Sequence, residues 1–82
     1  MMDDIIEVIT YSGYRGEEVP REFLLHEKRV EAAEILDMWI EEDFAGKVRK
    51  RYFKVKGNDG DTHQIYYNEK TLVWFYVQKK KE

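Results

Sequence analysis

Tyr52, Tyr66 and Trp74 are the side chains of this 82-residue sequence best suited to holding a ligand. Aromatic rings on adjacent strands make a platform on which unpaired bases stack, at ~1–3 kcal/mol per base. Arg49, Lys50, Lys54 and Lys56 fall in the same stretch, and cations so placed neutralise phosphates without reading sequence. Tyr76 follows Trp74 at strand spacing and joins the set. The plainer alternative is that these rings are cross-strand pairs stabilising a sheet at ~0.2–1 kcal/mol each. In a variant of that alternative, the acidic segment over 30–44 folds across them.

Catalytic chemistry has little to stand on. His26 and His63 are the only histidines, there is no cysteine, and no spacing matches a zinc site. Asn58-Asp59-Gly60-Asp61 lacks the downstream glutamate of a calcium loop. Ser12 in Tyr11-Ser12-Gly13-Tyr14 lacks the flanking glycines of a nucleophile elbow. Gly13-Tyr14-Arg15-Gly16 lacks the lysine-hydroxyl ending of a phosphate loop. Glu41, Glu42 and Asp43 read as solvated neighbours. The expectation is a module with no enzymatic role, no metal and no cofactor. Its partner is a single-stranded nucleic acid or a protein, with a homo-oligomer as one form of the latter.

Composition sets the frame. Residues 1–82 read as one domain near the lower size limit for a single core, with 43% hydrophobic residues arguing for a folded chain. No apolar run reaches the ~20 residues of a membrane span, and the acidic start Met1-Met2-Asp3-Asp4 is unlike a signal peptide. A cytoplasmic protein with no membrane partner is expected. Residues 1–46 carry 13 acidic and 4 basic side chains, a balance of −9; residues 47–82 carry 10 basic and 4 acidic, a balance of +6. If the halves interleave, these charges pair across strands. If they segregate, one face attracts polyanions.

The elements that must position these residues read mostly as strand. Ile5 to Tyr11 is β-branched and aromatic; 12–20 is loop; Arg21 to His26 is a second strand turned back at Glu27-Lys28. The tail Lys79–Glu82 is expected to fray. Val30 to Phe44 is ambiguous. As a helix it gathers Ala32, Ala33, Ile35, Leu36, Trp39, Ile40 and Phe44 on one arc; as a strand it aligns Val30, Ala32, Leu36, Met38 and Ile40, with Glu34 the exception. Helix propensity supports the first reading, whereas the missing N-cap and the preceding hairpin support the second.

Asn58-Asp59-Gly60 suits a three-residue hairpin loop with glycine in the left-handed region. Counting from it sets Phe53 opposite Ile65, Val55 opposite His63, Tyr52 opposite Tyr66, Lys54 opposite Gln64 and Lys56 opposite Thr62. A second reversal near Glu69-Lys70-Thr71 returns the chain as 72–78. With Phe75 opposite Ile65, one side of the meander carries Phe53, Val55, Ile65, Tyr67, Val73, Phe75 and Val77 as core. The other carries Tyr52, Lys54, Lys56, Gln64, Tyr66, Trp74 and Tyr76.

Arg51-Tyr52-Phe53-Lys54-Val55, Asp59-Gly60, Ile65-Tyr66-Tyr67 and Trp74-Phe75, in this order, resemble the small C-terminal domain of Y-family-like polymerase accessory proteins of bacterial damage-induced mutagenesis. Arg29-Val30-Glu31 followed by Trp39 is similar to the upstream segment of that domain. Tyr11-Ser12-Gly13-Tyr14 and Pro20-x-x-Phe23 are similar to its stand-alone form, small bacterial cytosolic proteins of unknown function. The matches span about 5–75. The chain departs from the fused form in having no polymerase-like region and in being acidic where the fused domains carry a tryptophan cluster. The resemblance implies an association with DNA repair but no established activity, so no catalytic residue carries over. It also favours an irregular, bulged strand over 30–44. The fold class expected is therefore mostly β: one antiparallel sheet of about six strands, curled or partly open as a barrel. The alternative is α+β, with 30–44 as helix.

Overall fold

The computed structural model describes residues 4–12, 18–43, 45 and 47–78. Of the loop expected over 12–20, residues 13–17 lie outside the described residues, as do Phe44 and the tail 79–82, while Ser12 and Glu18–Pro20 belong to strands. Six strands follow one another: β1 (Asp4–Ser12), β2 (Glu18–Leu25), β3 (Lys28–Glu42), β4 (Arg49–Gly57), β5 (Thr62–Asn68) and β6 (Val73–Tyr76). Each is antiparallel to the next and β6 returns to β1, which closes an up-and-down barrel. Residues 30–42 are strand throughout, so the all-β expectation holds and the helical alternative is excluded.

Small barrels fill their interior with side chains. Here Ile6, Phe23, Val30, Phe53, Val55, Ile65 and Tyr76 form the buried core, with Val8, Leu25, Ala32, Ile35 and Trp74 packed around it. Alternation along β4 makes this visible, since Phe53, Val55 and Gly57 are buried while Lys54 and Lys56 are exposed.

β3 follows strand alternation only through two interruptions. Its register against β4 skips Ala33 and Leu36, which gives two bulges. An extra residue lets a strand bend and twist more strongly, and β3 uses this to pass from β2 to β4. Only Lys28–Glu31 pair with β2; from Ala32 to Glu42 the partner is β4 alone among the described residues. β2 parts from β3 at the same level, where Arg21 is the extra residue of its own bulge against β1 and Pro20, just before it, has no N–H to donate.

The turns carry the conformational cost. His26 and Glu27 join β2 to β3 as a two-residue loop with φ of 52° and 67°, one residue earlier than the expected Glu27-Lys28. Two successive left-handed residues define the type I′ hairpin turn, for which Asn-Gly is the preferred pair. The β4–β5 loop is the expected one: Gly60 sits at φ 89° and donates to the Gly57 carbonyl at 3.0 Å, while Gly57 donates to the Asp61 carbonyl at 2.8 Å. Asn58 ties this loop to β3, its N–H donating to the Glu31 carbonyl at 2.9 Å and its Oδ1 accepting from the Glu31 N–H at 3.1 Å. A Cβ on Gly57 would lie 2.7 Å from Val30 Cγ1 and 2.6 Å from Asp59 Oδ1.

Two stability predictions follow from these turns. The double substitution His26→Asn with Glu27→Gly should stabilise the fold by about 1 kcal/mol, read as a rise of roughly 4–8 °C in Tm by calorimetry. Gly57→Ala should destabilise it by about 1–3 kcal/mol in urea unfolding, because β3 must shift away from the hairpin.

Candidate binding surface

The register from β3 to β6 builds one row of rings on the outside of the barrel. Trp39 pairs with Tyr52, Tyr52 with Tyr66, and Tyr66 with Phe75. The centroids are 5.3, 4.8 and 5.0 Å apart, with interplanar angles of 5°, 34° and 18°. Ile5, which is 71% exposed, pairs with Phe75 and extends the row onto β1. Lys50 lies over the Tyr66 ring at 5.2 Å. Tyr52 and Tyr66 therefore stand together as expected, in the expected register.

Trp74 and Tyr76 do not join them. Tyr76 is opposite Ile65, Phe75 opposite Tyr66 and Trp74 opposite Tyr67, one residue away from the expected register. Leu72 is the cause: it adopts φ 62° inside the turn, donates to the Asn68 carbonyl at 2.7 Å, and lengthens the loop to 69–72. The Asn68 side chain caps the same turn by accepting from the N–H groups of Lys70 and Thr71. One residue of slip reverses every side chain. Trp74 thus packs on Phe53 at 5.7 Å, Tyr76 is buried, and Phe75 moves outward. Residue counting missed Phe75 for this reason. It missed Trp39 because 30–44 had two admissible periodicities.

The basic residues of β4 do not face open solvent alone. Lys56 is opposite Glu34, Lys54 opposite Asp37, Lys50 opposite Glu41 and Arg49 opposite Glu42, the last pair at 3.8 Å. Exposed pairs of this kind add little stability, and each sets opposite charges side by side. The acidic and basic halves of the chain therefore interleave along this ladder.

At its far end the β3–β4 ladder outruns the core. Met38 is opposite Phe53 and Ile40 opposite Arg51, on the inward side, yet they are 48% and 45% exposed. With Trp39, Arg49 and Arg51 they line a cleft of about 340 Å³. Arg51 is fixed there by Glu69, its Nη2 donating to Oε2 at 3.0 Å. Met38 and Ile40 were absent from the sequence-derived site. Their signal was an apolar pair at strand spacing in a segment too long for the core to cover.

The constellation nearest to catalytic geometry is Asp59–His63–Tyr76. His63 is 5% exposed, with Nε2 at 3.1 Å from Asp59 Oδ2 and Nδ1 at 2.8 Å from the Tyr76 hydroxyl. An ionised Asp59 only accepts, so Nε2–H donates to it and, in the neutral ring, Nδ1 accepts from the Tyr76 O–H. Phe23 packs edge-on to the imidazole at 5.4 Å, within the core. The arrangement pins the hairpin loop to β6. Among the described residues no group of three or more His, Asp or Glu side chains is placed to hold a metal ion. No family model, curated protein or solved structure matches the chain.

The network should show in pH-dependent stability. The Asp61 N–H, donating at 3.0 Å, holds the Asp59 carboxyl below its ordinary value, with His63 contributing and partial desolvation opposing. The stabilisation is therefore whole above the ordinary aspartate pKa of about 4 and is lost as pH falls through the lower folded value. Burial raises the Tyr76 pKa, so its contribution is whole below about pH 10 and is lost as pH rises through the folded value. Urea midpoints recorded across pH should show the acid-side decline, and Asp59→Asn should flatten it. Tyr76→Phe leaves Nδ1 of a buried imidazole without a partner and should cost about 1–3 kcal/mol at neutral pH.

Proposed function

We propose that this chain is a non-catalytic binding module that contacts protein, using the far end of the β3–β4 ladder. The observation that carries this reading is the register of that ladder. The four basic residues suited to phosphates each stand opposite a carboxylate, while Met38 and Ile40 beside them are half exposed. Exposed apolar side chains grouped on a small domain are what a protein contact uses. The aromatic row is less suited to bases than its composition implies. Trp39, Tyr52, Tyr66 and Phe75 lie against one another ring to ring, so most of the faces a base would stack on are already taken.

Single-stranded nucleic acid is the competing ligand, and the two are separated by titration. A fluorescent oligothymidine should give no saturable anisotropy change at low salt. Saturable, salt-sensitive binding that weakens on Lys54→Glu would overturn the protein reading. In parallel, selection from a displayed peptide library should yield saturable binders of the native chain. Those binders should lose affinity for Met38→Lys/Ile40→Lys, a double variant whose circular dichroism matches the native protein.

A further inference from the structure

We infer that the free edge of β3 over Asp37–Glu42 is a docking site for an extended protein segment that alternates basic and apolar residues, added as a further strand. This rests on the protein-contact reading above and names the chemistry of the partner.

A barrel abolishes sheet edges only where its seam is paired along its length. Here the β2–β3 seam is paired over four residues of β3, Lys28–Glu31, and β3 then runs on with β4 as its one partner among the described residues. The opening between β2 and β3 is a cleft of about 390 Å³, lined by Val19, Pro20, Arg21 and the 32–35 segment. The two bulges disturb β3 at Ala33 and Leu36, but beyond them the register is unbroken from Asp37 to Glu42. That is six residues of regular strand, the usual length of a strand pair. Among the described residues no strand lies beside its outer backbone groups, of which the Met38 N–H donates to Asp37 Oδ1 at 2.8 Å. Peptide capture at sheet edges takes its affinity from such main-chain groups and its specificity from alternate side chains.

The side chains specify the occupant. On the outer surface of the segment stand Asp37, Trp39 and Glu41; on the inner surface stand Met38 and Ile40, half exposed. The strand that β3 already accepts on its other side shows what matches this pattern. β4 sets Lys54 against Asp37 and Lys50 against Glu41, and Phe53 against Met38. An added strand would run beside Asp37, which accepts from the Met38 N–H at 2.8 Å, and Glu41, which accepts from the Trp39 indole at 3.1 Å. The charge they keep calls for lysine or arginine outward, and Met38 and Ile40 call for apolar residues inward. A second copy of β3 does not fit. Antiparallel pairing of two Asp37–Glu42 edges centred on Trp39 sets Asp37 of each copy against Glu41 of the other. Like charges directly opposite destabilise a pair.

The test uses the whole chain and a labelled synthetic peptide of strand length that alternates lysine with valine and phenylalanine, followed by anisotropy. Two further peptides carry N-methyl groups on one or the other alternate set of residues. An edge-docked strand tolerates methylation of the set facing away from β3 and loses binding when the set facing it is methylated. Saturable binding with that asymmetry, lost on Asp37→Lys/Glu41→Lys and unmatched by a glutamate-valine peptide, is the expected result. Equal binding by both methylated peptides overturns edge docking while leaving the protein-contact reading intact. The same holds if the lysine peptide fails to bind although library-selected peptides do. A stable dimer in sedimentation velocity whose β3 edge excludes the peptide also overturns it, by placing a second copy there. Failure of the library to yield any binder removes the underlying reading itself.

Discussion

Six strands around one core close into a barrel only because Val73–Tyr76 pairs on both of its sides, with β5 and with β1. This four-residue strand is the shortest of the six, and three of its four side chains are aromatic. Trp74 and Tyr76 complete the interior, and Phe75 completes the outer row of rings. Two bonds beyond its end extend the closure, from the Val77 N–H to the Gln64 carbonyl and from the Gln78 amide to Asp4. The Tyr76 hydroxyl then reaches His63, whose other nitrogen holds Asp59. Closing strand and distant hairpin loop are thereby one hydrogen-bonded unit, and that loop in turn holds β3 through Asn58 and Glu31.

The surface arises from a mismatch of lengths. β3 has fifteen residues, whereas the strand before it has eight. A core of this size has no more apolar surface to offer the surplus. Bulges let β3 wrap from one neighbour to the other, and its far end has β4 as its one partner among the described residues. Met38 and Ile40 therefore keep the inward orientation of core residues while staying half exposed.

The hairpin from Arg49 to Asn68 was legible because its turn residues admit one loop. Asn58-Asp59-Gly60 sets the register, and all five cross-strand pairs counted from it are present. The next strand was not legible, because nothing in Glu69-Lys70-Thr71-Leu72 marks leucine as a left-handed residue. The cost of holding Leu72 there is offset by capping from Asn68, by burial of Tyr76 and by the packing of Trp74 against the core. Propensity also misled at 30–44, where good helix formers are held extended by β4. A tertiary neighbour overrides a preference of a few tenths of a kcal/mol per residue. Trp39 and Phe75 were lost to these two effects, and Trp74 and Tyr76 were assigned to the wrong side by the first.

The opposite charges of the two halves of the chain, −9 and +6, acquire a structural meaning from the β3–β4 register. Individually the exposed pairs contribute little. Collectively they disfavour sliding, since a one-residue slip would turn the lysines of β4 inward and the core residues outward. The same pairing sets a carboxylate opposite each of Arg49, Lys50, Lys54 and Lys56. The strand that is matched within the fold thus supplies, by its own composition, the pattern proposed for the side that has no partner among the described residues.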